Sequence, residues 1–127
     1  MSEPFSILVV DDNPPSVETL AAVLDARGFI VHTATSGTKA LEILRDYQVD
    51  ILLTDVKMPD MNGVELFRET KKIRPAITAI LMTGYSANEV VQQGLAEGVK
   101  AILDKPLDIS FLLLLFSTIK RIKSQSQ

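Results

Sequence analysis

The chain has 127 residues, 46% of them hydrophobic, which suits one domain with a full-sized core and leaves too little for two. Its net charge of −3 comes from nearly balanced acids and bases, so it offers no broad cationic surface for nucleic acid or anionic lipid, and no direct nucleic-acid contact is expected. The absence of cysteine excludes disulfide scaffolds, thiolate metal sites and cysteine nucleophiles; it is compatible with a reducing cytosol, and the cytoplasm is the expected compartment. Met1-Ser2-Glu3-Pro4 lacks a basic region ahead of an apolar signal core. The apolar run from Phe111 to Phe116 falls far short of the ~20 residues needed to cross a bilayer, so no membrane span is expected.

Phe5 to Val10 is a compact apolar run that reads as a first strand. It ends at Asp11-Asp12, and Asn13-Pro14-Pro15 cannot prolong a strand but can start a helix. That helix sets Val17, Leu20, Ala21 and Leu24 on one stripe and closes at Gly28 after Arg27. Phe29 to Ala34, β-branched and aromatic, reads as strand two. Ser36-Gly37 then turns the chain into a helix through Ala40, Leu41 and Leu44 that ends near Tyr47. Strand three is Val49 to Thr54, an apolar run buried on both faces that stops abruptly at Asp55 and a Pro-containing loop. Asn62-Gly63 precedes a third helix with Val64, Phe67 and Ile73 inward, and Pro75 marks its end.

Ile77 to Met82 is strand four, stopping at Thr83-Gly84. Ser86 or Asn88 can cap a helix through Val91 and Leu95 that ends at Gly98. Ala101-Ile102-Leu103 is a short fifth strand, followed by Asp104-Lys105-Pro106, and Asp108 or Ser110 opens the last helix, to about Ile122. Strands alternating with helices imply an α/β fold, a single doubly wound parallel sheet with right-handed crossovers and helices on both faces. The domain is expected to span residues 5–123. The polar Ser124-Gln125-Ser126-Gln127 reads as a loose tail and the start of a linker, which favours a piece of a longer protein over a stand-alone one.

In such a sheet Asp11, Asp12, Asp55, Thr83 and Lys105 all gather at the carboxyl edge, where open α/β folds bind their ligands. Carboxylates ~4 Å apart repel by about 4 kcal/mol per pair at an effective dielectric near 20, so something cationic must join them. A hard divalent ion such as Mg2+ accepts carboxylate oxygens, a carbonyl and waters, and Lys105 supplies a second, mobile positive charge. Each residue alone also has a plain reading. Asp11-Asp12 can cap a helix, Thr83 can be a β-branched strand residue, Lys105 can be solvated surface, and Gly63 and Gly84 can be turn glycines. His32, the one histidine, lies mid-strand away from that edge.

Four motifs stand in order: Val9-Val10-Asp11-Asp12; Asp55-Val56-Lys57-Met58-Pro59-Asp60-Met61-Asn62-Gly63; Met82-Thr83-Gly84; and Gly98 with Asp104-Lys105-Pro106. Together, from Phe5 to about Lys123, they resemble the receiver domain of two-component response regulators. The resemblance implies a CheY-like, flavodoxin-like (βα)5 sheet of strand order 2-1-3-4-5. It implies Asp55 as phosphoacceptor, with Asp11, Asp12, Asp55 and the Lys57 backbone carbonyl around Mg2+, and Thr83 and Lys105 on the phosphoryl oxygens. Gly84 would let a backbone N–H approach those oxygens. The Lys105-Pro106 bond is expected to be cis. The phosphoryl group would come from a histidine kinase or a histidine phosphotransfer protein. The helix 4, strand 5 and helix 5 surface would then switch binding to an output domain or effector, and the only catalysis would be of the chain's own aspartyl phosphorylation and dephosphorylation.

The sequence departs from the family in one respect. Where the family often has Tyr or Phe three residues before the Lys, this chain has Ile102, which puts the usual Thr-to-aromatic relay in doubt. Tyr85 is instead the aromatic nearest the site; Tyr85 and Lys57 either flank the phosphate and set its lifetime or are solvent-exposed loop residues. On the last helix, a step of 100° per residue gathers Ile109, Phe111, Leu112, Leu115, Phe116, Ile119 and Ile122 on an inward arc and leaves Leu113 and Leu114 outside it. Those two leucines are either a contact face, including for a homodimer through helices 4 and 5, or stray surface residues.

Three rivals remain. An aspartyl-nucleophile phosphohydrolase would need a second Asp two residues after the first, where this chain has Lys57. A nucleotide or flavin binder would need a Gly-rich turn after strand one, where this chain has two acids. An unphosphorylated interaction module would have no use for the complete set of acids, Thr and Lys.

Overall fold

The computed structural model describes residues 5–84 and 88–125. Along the chain run β1 (Ser6–Val10), α1 (Pro14–Ala26), β2 (Ile30–Ala34), α2 (Gly37–Asp46), β3 (Ile51–Asp55), α3 (Gly63–Ile73), β4 (Thr78–Thr83), α4 (Asn88–Glu97), β5 (Ala101–Asp104) and α5 (Ile109–Gln125). The strands are all parallel and lie side by side in the order β2-β1-β3-β4-β5. The expected doubly wound sheet and its strand order are both present.

Alternation along the central strands divides the core in two. Ile7, Val9, Ile51, Leu53, Ile80 and Met82 point to one face and pack with Leu20 and Leu24 of α1 and Leu112, Phe116 and Ile119 of α5. Leu8, Val10, Leu52 and Leu81 point to the other and pack with Ala40 and Leu44 of α2 and Val64, Leu66 and Phe67 of α3. Fully burying one Leu, Ile or Phe is worth roughly 1.5–3 kcal/mol, and both layers are built from such residues.

The helix starts follow side-chain chemistry. The Asn13 side chain accepts from Ser16 N–H, Ser36 from Lys39 N–H, and Asn62 and Glu65 form a reciprocal capping box. For α5 the cap is Asp108 rather than Ser110, its Oδ1 accepting from Phe111 N–H at 3.1 Å. Helix α1 closes at Gly28, whose φ of +91° favours glycine. Of the alternatives for α4, Ser86 lies outside the described residues.

Strand bounds shift from the apolar runs in a consistent way. The ladder starts one or two residues later than Phe5, Phe29, Val49 and Ile77, and continues one residue past Thr54, Met82 and Leu103. Asp55 pairs with Met82 and Thr83 with Asp104, so the polar residues at the edge are held as strand residues rather than loop residues.

Three helices differ from expectation. On α5 the buried line is Leu112, Phe116 and Ile119; Phe111 and Ile122, expected inward, are 50% and 51% exposed. Leu113, expected outside, is partly buried against the α1/α5 core layer, whereas Leu114 is 63% exposed as expected. The helix is covered on the Leu113 flank and open on the Phe111 flank, which periodicity alone cannot distinguish. Helix α5 also runs to Gln125, past the expected end near Ile122. On α4, Leu95 is exposed and the close approach is made by Gly94, where a Cβ would lie 2.9 Å from the Leu81 side chain. On α3, Leu66 and Thr70 are buried beside Val64 and Phe67, and Ile73 is only partly so.

Candidate functional site

Five strand ends converge on one edge. Asp11 directly follows β1, its N–H donating to Ala34 O at 3.2 Å while its Oδ1 accepts from Asn13 N–H at 3.1 Å. Asp55 is the last residue of β3. Carboxylate oxygens of Asp11, Asp12 and Asp55 lie within 4.8 Å of one another, with Asp11 and Asp55 buried and Asp12 exposed. Lys105 reaches into this group, its Nζ 2.8 Å from Asp11 Oδ2 and 3.2 Å from Asp55 Oδ2. The root of Lys105 is fixed by its N–H donating to Thr83 O at 2.8 Å, and the Lys105-Pro106 bond is cis as expected.

The electrostatics are unbalanced. Burial pushes the Asp55 carboxyl above the usual range; the Lys105 ammonium works against that, the Asp11 charge adds to it, and the Lys57 backbone N–H beside the carboxylate lowers it. Burial also opposes charge on Lys105, but its bonds to Asp11 and Asp55 outweigh this and raise its pKa. Three carboxylates facing one ammonium leave two negative charges uncompensated. The donor set is one a hard divalent cation takes: ligand distances of about 2.0–2.6 Å put oxygens on one ion no more than ~5 Å apart, which the 4.8 Å spread satisfies.

Beside the cluster is a cavity of about 190 Å³ lined by Asp55, Val56, Lys57, Thr83, Gly84 and Lys105. It is smaller than the pockets that hold drug-sized ligands and suits a small anion. Thr83 is buried at its wall and Lys57 is exposed at its mouth. Among the described residues no atom would meet a Cβ added at Gly84, so their packing does not demand glycine there. Gly63 is different: a Cβ would lie 2.5 Å from the Asp55 backbone oxygen and 3.2 Å from Leu81, so only glycine lets α3 start against the end of β3.

The structure therefore brings Asp11, Asp12, Asp55, Lys57, Thr83, Gly84 and Lys105 together. Ile102 is not in the cavity wall but packs, partly buried, against the α2/α3 core layer. Tyr85 lies outside the described residues. Leu114 is on the far surface of α5, without its expected neighbour Leu113. His32 stacks at 4.7 Å on Tyr47, away from the acids.

Two features had no part in the sequence reading. A groove of about 480 Å³ runs between α1 and the β5–α5 turn, lined by Pro15, Thr19, Leu20, Val23, Pro106 and Leu107 among others, and opens at Asp11 and Lys105. Asp60 caps the first turn of α2.

The sequence pattern of the family described as response regulator receiver domain matches residues 7–116. The chain belongs to this family. It is 41% identical over 108 residues to the transcriptional regulatory protein ZraR of Escherichia coli strain K12, covering 85% of this chain and 24% of ZraR. Among solved structures, a response regulator receiver domain protein from Clostridium thermocellum superposes with a TM-score of 0.90 at 30% identity, covering 97% of this chain and 99% of the other. The BeF3-activated DrrB receiver domain gives a TM-score of 0.84 at 27% identity, covering 94% and 99%. This receiver domain is a signalling module of a two-component response regulator. It spans about a quarter of the length of the curated relative it matches. Among the described residues no helix is long and apolar enough to cross a membrane.

Proposed function

We propose that this receiver domain accepts a phosphoryl group on Asp55 and relays the event as a change in partner binding. The observation that carries the reading is the Lys105 ammonium held between Asp11 and Asp55 at the wall of a small cavity that also contains Thr83. In the transfer, an Asp55 carboxylate oxygen attacks phosphorus in line. The new O–P bond forms as the P–N bond to the donor's imidazole breaks, the electron pair leaving with the donor; from a small acyl phosphate the P–O bond breaks instead. Lys105 neutralises charge on the incoming oxygens, and the Thr83 hydroxyl donates to one of them. Asp11, Asp12, Asp55 and the Lys57 carbonyl would hold Mg2+, which when bound offsets the negative charge of the cluster and of the phosphoryl oxygens. Lys57 stands two residues past the nucleophile, where a phosphohydrolase would have its acid and base, and an ammonium cannot fill that role at neutral pH without a large pKa shift, which favours the signalling reading.

The donor would be a histidine kinase or a histidine phosphotransfer protein. The α1/β5–α5 groove supports this, because an apolar segment seated there would present its histidine beside Asp11 and Lys105. The product carries roughly −1.5 to −2 charge, enough to draw in Thr83 and bias the α4, β5 and α5 face, with Ile102 behind it in place of an aromatic ring. Exposed Leu95 on α4 and the Phe111, Leu114 and Ile122 stripe on α5 give that face its apolar surface, for an output domain, an effector or a second copy.

Intact mass after treatment with acetyl phosphate, with and without Mg2+, tests the assignment. Wild type should gain one phosphoryl group only with Mg2+, and Asp55→Asn none. A gain in Asp55→Asn equal to wild type would remove Asp55 from the role.

A further inference from the structure

Asp60 lies three residues past Lys57 in the loop between β3 and α3, yet its carboxylate is bonded to a helix far away in sequence. Oδ1 accepts from Gly37 N–H at 3.1 Å, and Oδ2 accepts from Thr38 N–H at 2.9 Å and from the Thr38 hydroxyl at 2.8 Å. Those N–H groups open α2 and have no partners within the helix, and an anion beside them is favoured by the helix dipole. The Thr38 N–H, and then its hydroxyl, hold the Asp60 carboxyl at about 2. Next to it, Met61 closes against Gly37, where any Cβ would overlap the Met61 side chain.

The two ends of the loop are fixed separately. Val56 N–H donates to Met82 O at 2.9 Å, and Gly63 N–H donates to Val56 O at 2.8 Å. Between these ends and the strapped tip lies the Lys57 peptide, whose N–H lies beside the Asp55 carboxylate and favours its charged form. A loop pinned at its root but free at its tip would let that peptide turn away; the bonds from Asp60 to α2 remove the freedom.

We propose that Asp60 is a positioning residue for phosphoryl acceptance: by strapping the tip of the β3–α3 loop to the first turn of α2, it holds the Lys57 peptide against Asp55. The proposal rests on the phosphoacceptor reading above. Ser36 provides the control, because its Oγ caps the same helix, accepting from Lys39 N–H at 3.2 Å, without touching the loop.

The test compares wild type, Asp60→Ala, Thr38→Val and Ser36→Ala. Phosphorylation by acetyl phosphate with Mg2+ is followed by intact mass, and the Lys57 and Asp55 amides by 15N–1H NMR without phosphodonor. Asp60→Ala should slow phosphorylation about tenfold, the scale on which outer supports of a reacting group act, and should move the Lys57 amide resonance. Thr38→Val should do both to a smaller degree, and it carries the test if Asp60→Ala does not fold. Ser36→Ala should phosphorylate at the wild-type rate although its α2 is less stable. An unmoved Lys57 amide and a wild-type rate in Asp60→Ala overturn the proposal, and so does a Ser36→Ala variant slowed as much as Asp60→Ala. A wild-type chain that gains no phosphoryl group sinks the phosphoacceptor reading instead, and the NMR arm still decides whether Asp60 holds the peptide.

Discussion

Replacing Asp55 by Asn keeps the shape of the side chain and removes one charge from the cluster, and the geometry fixes the direction of the stability change. Asp55 lies within 4.8 Å of both other carboxylates, so each pair repels by at least about 3.5 kcal/mol at an effective dielectric near 20. Lys105, at 3.2 Å, attracts it by about 5 kcal/mol on the same scale. Asp12 is exposed and further screened, so the charge contributions nearly cancel. Burial then decides, and it is the largest influence on the Asp55 carboxyl. A carboxyl whose folded pKa is raised contributes stability that is fully present below its unfolded value of 3.8 and is lost as pH rises through the folded pKa. At neutral pH the ionised group therefore costs stability.

In the absence of divalent ions Asp55→Asn should be more stable than wild type by about 1–2 kcal/mol, the scale of relieving a poorly compensated buried charge. For a chain of this size that is roughly 4 °C in Tm per kcal/mol. Mg2+ at ten times its Kd should add about 1.4 kcal/mol to wild type and less to the variant, which has lost one carboxylate, so the gap narrows. Urea unfolding followed by circular dichroism, in EDTA and in Mg2+, measures both effects. An Asp55→Asn variant no more stable than wild type in EDTA, or one stabilised by Mg2+ as much as wild type, would refute the reasoning.

Gly63, packed against the end of β3, and Gly84, in the cavity wall, should behave oppositely. Gly63→Ala forces a Cβ onto the Asp55 carbonyl and should cost about 1–3 kcal/mol in urea unfolding, whereas Gly84→Ala, with open space, should change stability by no more than ~0.5 kcal/mol. On α5, Phe111→Lys and Leu114→Lys should leave monomer stability within about 0.5 kcal/mol while weakening any self-association seen by sedimentation; Leu113→Lys, partly buried, should destabilise the fold itself. Asp60, with its carboxyl held at about 2, stabilises the fold above its unfolded value of 3.8 and loses that contribution as pH falls toward 2. Asp60→Asn should flatten the acid limb of the stability profile in that window, by a small amount because the group is exposed.

The acidic edge was legible because the chain order of apolar runs fixes a parallel sheet, and a parallel sheet delivers every strand end to the same side. Asp11, Asp55, Thr83 and Lys105 needed no knowledge of side-chain packing to be brought together. The outward face of α5 was not legible for the opposite reason. A helical wheel ranks residues by angle, but Phe111 and Leu113 sit at similar angles on opposite flanks of the buried line, and only the position of neighbouring elements decides which is covered. The Asp60 strap was also hidden, since it joins residues 22 and 23 apart and no local pattern marks a carboxylate as the cap of somebody else's helix.

The ladder also explains why the charge that closes the cluster belongs to a lysine. Val10 pairs with Thr54, Asp55 with Met82 and Thr83 with Asp104, so across four adjacent strands Asp11 and Asp55 stand level, Thr83 lies one residue further along and Lys105 two. Three strand spacings of about 4.8 Å separate β1 from β5, roughly 14 Å before twist brings the ends together. Only a long side chain rooted on β5 can cross Asp55 and still touch Asp11. Arginine is long enough, but its planar guanidinium is bulkier than an ammonium and would take space from the 190 Å³ cavity, which a compact ammonium leaves to an anion. Reach selects the two long cations, and the volume beside Asp55 selects between them.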